Sequence, residues 1–95
     1  MTVEEVKQRT APVFQEFGVL HAAIFGSVAR GEDRPGSDVD LLVRLGRPTG
    51  MVAYMRLVES LENSLGRKVD LVTEQSLNPR IKPFVLQDLA DIYEG

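Results

Sequence analysis

The chain has 95 residues, 43% of them hydrophobic and 26% charged, an ordinary globular composition able to bury somewhat over about 60% of the unfolded surface in one core. A net charge of −3, a pI near 5.1 and scattered Lys and Arg residues argue against a nucleic-acid footprint. The absence of cysteine excludes a disulfide framework or a thiolate metal site; no apolar run reaches membrane-span length, and the acidic N-terminal segment lacks a signal peptide's basic start. The expected compartment is the cytoplasm, and the expected organisation is one domain over residues 1–95, with no room for a second.

Thr2-Val3-Glu4-Glu5 is a capping box, after which Val6, Val13, Phe14 and Phe17 recur on one helical face. Pro12 inside that pattern is expected to kink or divide the helix, and Gly18 to stop it. Leu20–Phe25 reads as a first strand, with His21 at its start as a rim residue of no assigned role. Gly26-Ser27 breaks this strand, Val28–Arg30 form a short helical turn, and Gly31 ends it. Glu32–Gly36 is turn chemistry, and a second strand resumes from Ser37. After Arg44–Pro48, Thr49 is a candidate cap for a helix whose stripe is Tyr54, Leu57, Val58, Leu61 and Leu65, with Glu59 and Glu62 facing water. Gly66 ends that helix, and Lys68–Thr73 alternates as a third strand. Asn78-Pro79 and Lys82-Pro83 offer two starts for a last helix bearing Ile81, Phe84, Val85, Leu89 and Ile92, extended by Leu86 and Tyr93. That is more apolar surface than one core-facing stripe needs. Either tight packing on the sheet or a partner protein meeting Phe84, Leu86 or Tyr93 accounts for the excess.

The chemistry concentrates between Ile24 and Leu41. Asp38 and Asp40 stand at i and i+2 of a strand, so both carboxylates face one way, roughly 6–7 Å apart, while Val39, Leu41, Val43 and Leu45 face the core. Folding gains nothing from two like charges side by side. A hard divalent cation such as Mg²⁺ resolves the repulsion and keeps coordination positions for phosphates. The Gly26-Ser27 turn supplies backbone N–H groups and a hydroxyl, a cradle for phosphate. Cradle and paired carboxylates together point to a nucleoside triphosphate.

Gly26-Ser27, ten residues, then Asp38-Val39-Asp40 resembles the signature of the DNA polymerase beta-like nucleotidyltransferase superfamily. The longer strings GSVARG and SDVDL resemble its minimal branch, the MNT proteins that serve as antitoxins to HEPN ribonucleases. The resemblance spans nearly the whole chain. It implies an α/β fold like the polymerase beta palm, a mixed sheet with helices on one face and the acids on the other. It also implies Mg²⁺-dependent transfer of AMP from ATP to a hydroxyl, in a tyrosine of a cognate HEPN toxin, with release of pyrophosphate. Asp38 and Asp40 would hold one Mg²⁺ ion and, with Asp70 as the third carboxylate on the next strand, a second; whether Asp70 also acts as a base stays open. Gly26 and Ser27 would hold the β and γ phosphates. Arg30 would either neutralise charge on them or pair with an acid such as Glu32. No direct nucleic-acid binding is expected, and a hetero-oligomer with the toxin is open. Two other readings are a small-molecule nucleotidyltransferase completed by a partner subunit, and a non-catalytic antitoxin that blocks its toxin sterically.

Overall fold

The computed structural model of the chain describes every residue except Asp33 and Ile81. The elements run α1 (Val3–Glu16), β1 (Val19–Phe25), α2 (Gly26–Ala29), β2 (Val39–Leu45), α3 (Met51–Leu65), β3 (Val69–Thr73), a 3-10 turn (Glu74–Ser76), α4 (Lys82–Gln87) and β4 (Ala90–Glu94). The sheet order is β3-β2-β1-β4, with β1 antiparallel to both its neighbours and β2 parallel to β3. The sheet is therefore mixed, as the α/β reading expects, and α3 is the crossover that parallel pairing requires.

Thr2 caps α1, its Oγ1 accepting from the Glu5 N–H at 3.1 Å, while the Glu5 carboxylate lies 3.8 Å from Arg9 one turn on. The helix is not divided at Pro12 but runs unbroken to Glu16. The carbonyl that Pro12 leaves without its helical donor belongs to exposed Gln8, where water can satisfy it. Thr10, fully buried, donates its hydroxyl to the Val6 carbonyl at 2.6 Å and so hides no unpaired polar group.

The core lies between one face of the sheet and the helices α1 and α3. Val6, Val13 and Phe14 of α1 and Leu57, Leu61 and Leu65 of α3 meet Ala22, Ile24, Val39, Leu41, Val43, Val69 and Leu71. Each buried Leu of α3 contributes about 1.5–3 kcal/mol of burial, which helps to hold a helix whose N-terminus has no side-chain cap. Its N-cap is Gly50, with no side-chain cap; Thr49, expected in that role, donates instead to the Arg47 carbonyl at 3.1 Å. Gly66 closes the helix in the left-handed conformation, φ +65°. Glu62, expected to face water, accepts the Val69 N–H at 3.0 Å and ties α3 to the start of β3.

The largest departure from the sequence reading is at the C-terminal end. No helix continues through Ile92 and Tyr93: α4 stops at Gln87, and Ala90–Glu94 pair with β1 as β4. A β1 strand paired only with β2 would leave a row of backbone groups open, and β4 fills it. Strict alternation is interrupted by a shift of register opposite Ala22 and Ala23: Asp91 is exposed, Ile92 is buried, and the neighbouring Tyr93 ring also turns to the core, 5.4 Å from that of Phe14. Of the apolar positions assigned to that helix, Val85 is buried, Phe84 and Leu86 are exposed, and Ile81 lies outside the described residues. Among the described residues no helix is long and apolar enough to cross a membrane.

Candidate active site

Strand alternation sends the core residues of β2 one way and Asp38, Asp40 and Arg44 the other. Asp40 sits opposite Phe25, the last residue of β1, and opposite Asp70 of β3 in parallel register. Neighbouring strands are about 4.8 Å apart, so Asp40 and Asp70 stand side by side on one face. Asp38 lies two residues upstream on the same side, exposed, just before the strand hydrogen bonding begins at Val39. The sheet thus gathers the three carboxylates singled out by sequence at one end of β2 and β3.

Gly26 closes the site from the β1 side. Its φ of +77° is a left-handed conformation that a side chain disfavours, and the space above it is taken. A Cβ built there would lie 3.1 Å from Asp40 Cγ and overlap Oδ2. The Asp40 carboxylate therefore rests directly on the backbone of the Gly26-Ser27 turn. That turn is closed by Arg30 N–H to the Gly26 carbonyl (3.1 Å), Glu32 N–H to that of Ser27 (2.8 Å) and Gly31 N–H to that of Val28 (3.1 Å). With these carbonyls pointing down the turn, the opening N–H groups point back toward its start.

The charges are strained in a telling way. Burial raises the Asp40 carboxyl above its ordinary value, the charges of Asp70 and then Asp38 raise it further, and Arg30 opposes them. Three carboxylates share this end of the sheet face, near enough for the charges of Asp70 and Asp38 to act on Asp40, and carboxylate oxygens are the donors a hard divalent cation such as Mg²⁺ prefers. Arg30 is committed to acids: its Nη1 donates to Asp88 at 2.9 Å and its Nε to Glu32 at 3.1 Å. These two bonds, Asp88 first, raise its already high pKa. Asp88 was not singled out from the sequence; it follows α4 and lies 58 residues from Arg30.

Four residues up β1 from Phe25, on the same face, His21 belongs to a separate charged cluster. Its Nε2 lies 2.9 Å from Asp91, its Nδ1 3.8 Å from Glu74, and Glu74 also accepts from Arg44 at 2.9 Å. His21, Asp91 and Glu94 together make a group of metal-ligand type whose ligand atoms lie within 4.8 Å of one another. The rim role expected of His21 missed this set, because Asp91 and Glu94 reach it only through β4. A cleft of about 730 Å³ lies at the far end of β2 and β3, lined by Leu45, Pro48, Met51, Tyr54 and Glu74 among others. The three acids do not line it: Asp38 and Asp70 are exposed, and Asp40 is half-buried beneath the Gly26 turn.

A family model for the nucleotidyltransferase domain matches residues 4–92. The chain belongs to that family. This nucleotidyltransferase is 36% identical over 93 residues to the protein adenylyltransferase MntA of Thermococcus cleftensis, covering 94% of each chain. It is 38% identical to a candidate minimal nucleotidyltransferase of solved structure, covering 95% of each chain with a TM-score of 0.78. It also shares its fold, at 17% identity and a TM-score of 0.75, with a chain in a complex of tri-AMPylated Shewanella oneidensis HEPN toxin and MNT antitoxin, covering 99% of this chain and 74% of that one. The mixed four-stranded sheet with its helices is the minimal nucleotidyltransferase fold.

Proposed function

We propose that residues 1–95 act as a minimal, single-domain adenylyltransferase that moves AMP from ATP to a tyrosine hydroxyl of a cognate HEPN ribonuclease, silencing it as an antitoxin. The observation that carries the reading is the placement of Asp38, Asp40 and Asp70 at one end of one sheet face, with Asp40 resting on the Gly26 turn. The adenylyltransferase name of the 36%-identical relative supports AMP as the group transferred. The AMPylated toxin in the solved complex supports the class of acceptor.

Asp38 and Asp40 would hold the Mg²⁺ that accompanies ATP and, with Asp70, a second ion. When bound, such ions stabilise the attacking and leaving oxygens of an in-line displacement. The turn at Gly26 and Ser27 receives the β and γ phosphates through N–H groups and the Ser27 hydroxyl. The acceptor oxygen attacks the α-phosphorus, its bond to the bridging oxygen of pyrophosphate breaks, and the acceptor's proton passes to Asp70 or to solvent. Arg30, held by Asp88 and Glu32, steadies the turn and supplies positive potential near Asp40. Asp38 and Asp70 are exposed, so in this reading the acceptor protein itself forms the far wall of the site and excludes water.

The deciding experiment incubates the HEPN partner with substoichiometric protein and Mg²⁺-ATP, strips the protein away, and measures intact mass and ribonuclease activity. Catalysis predicts added AMP on the toxin and lasting inactivation, lost in the Asp38→Ala, Asp40→Ala double variant. Full recovery of ribonuclease activity, or equal protection by the double variant, would refute it in favour of a steric antitoxin.

A further inference from the structure

Asp38 precedes the first hydrogen-bonded residue of β2 and is exposed, yet the proposed site needs its carboxylate fixed beside Asp40. The backbone on both sides of it is tied to one short segment, Arg67-Lys68, between the Gly66 cap of α3 and β3. On the downstream side, the Val39 N–H donates to the Lys68 carbonyl at 2.9 Å. On the upstream side, Arg67 forks onto the Ser37 carbonyl with Nε at 3.1 Å and Nη2 at 2.8 Å. The same Nη2 reaches Ser37 Oγ at 2.9 Å and the Arg34 carbonyl at 3.0 Å.

The target of these bonds is a solvent-exposed turn that the Ser37 hydroxyl also braces, donating to the Arg34 carbonyl at 2.8 Å. Arg34-Pro35-Gly36-Ser37 is closed by the Ser37 N–H to the Arg34 carbonyl at 3.0 Å, with Pro35 second and Gly36 third at φ +85°, the pattern of a type II turn. Arg34, Pro35 and Gly36 are exposed, so no core contact positions them. The Ser37 carbonyl and the Asp38 N–H belong to one planar peptide unit. Pinning that oxygen with a two-pronged guanidinium therefore sets the direction in which the chain enters Asp38. Asp70 lies three residues beyond Arg67, so the segment that aims Asp38 also carries the third carboxylate.

We infer that Arg67 is a positioning residue for the metal-binding carboxylates, acting through the Ser37–Asp38 peptide to hold Asp38 in register with Asp40 and Asp70. The inference rests on the reading that these acids bind a divalent cation. A lysine keeps the charge but not the planar fork that spans several acceptors, so it cannot replace Arg67 here.

The test is Mn²⁺ binding by the full chain, read from the electron paramagnetic resonance signal of the free ion, with thermal unfolding recorded alongside. Arg67→Lys is expected to unfold within a few degrees of wild type and to bind Mn²⁺ about 10- to 100-fold more weakly, the usual cost of losing an orienting partner behind a metal ligand. In an Asp38→Ala background the same change should add little, because Arg67 acts through Asp38. Should Arg67→Ala fail to fold, the lysine variant decides. Equal Mn²⁺ affinity in wild type and Arg67→Lys, or undiminished weakening in the Asp38→Ala background, overturns the role of Arg67 alone. Absence of Mn²⁺ binding by wild type overturns the metal-site reading with it.

Discussion

Gly26→Ala is the substitution whose consequences follow most directly from the geometry. Two costs add. Holding alanine at φ +77° forces a left-handed conformation worth about 1–2 kcal/mol, and the new methyl overlaps the Asp40 carboxylate, an overpacking cost of about 1–3 kcal/mol. The sum of about 2–5 kcal/mol lowers the melting temperature of a domain this size by about 8–40 °C. The methyl also pushes the carboxylate aside, and a displacement of about 1 Å at a reacting centre costs on the order of 100-fold in rate. Differential scanning calorimetry in EDTA reads the first effect and AMP transfer at low temperature the second. A double-mutant cycle separates the two costs. Asp40→Ala removes Cγ and Oδ2 but keeps Cβ, 3.4 Å from the added methyl, so in that background Gly26→Ala should retain only the backbone strain. A Gly26→Ala protein within about 0.5 kcal/mol of wild type, the range expected of a neutral surface change, would refute the reasoning. So would an equal penalty with and without the Asp40 carboxylate.

Asp40→Asn is expected to raise the melting temperature in EDTA at neutral pH, since the ionised carboxylate is opposed by burial and by its neighbours Asp70 and Asp38. Because the folded pKa lies above the ordinary 3.8, the group favours folding most below that value and loses the contribution as pH rises through the folded pKa; the gain from Asn should accordingly vanish below about pH 3.8. A lower melting temperature at pH 7 would show structural partners for this carboxylate. Leu61→Ala, at a fully buried position of α3, should cost about 2–5 kcal/mol in urea unfolding while leaving Mn²⁺ binding unchanged at temperatures where the variant is folded. Parallel losses in both measurements would mean that the core and the acid face are coupled.

The acids were legible because their chemistry is local: a two-residue spacing in a strand needs no knowledge of the rest of the fold. The same holds for Gly66, Gly18 and the stripe of α3. What the sequence could not convey was which residues meet across distance. Asp40 and Asp70 are register partners only because α3 returns the chain in parallel, and Arg30 finds Asp88 58 residues away. The end of the chain reads as helix because Val85, Leu89 and Ile92 fit a helical spacing, while the strand over Ala90–Glu94 is short and its alternation is broken by a register shift. A five-residue window does not decide between them; the open edge of β1 does. His21 was passed over for the same reason, since its acidic neighbours arrive with β4. Arg67, placed just after a helix, resembles an ordinary C-terminal basic residue until the Ser37 turn is seen beneath its guanidinium.

The parallel pairing of β2 with β3 also protects the site against assembly errors. Side chains in a strand change face at every residue, so sliding β3 by one position would send Asp70 into the core and put Val69 and Leu71 in water. An ionised carboxylate buried without a partner is among the costliest mistakes a small fold can make. The misregistered sheet would therefore fail as a structure before it could persist as a defective enzyme. Quality control by stability and quality control of the carboxylate geometry are, in this sheet, a single filter.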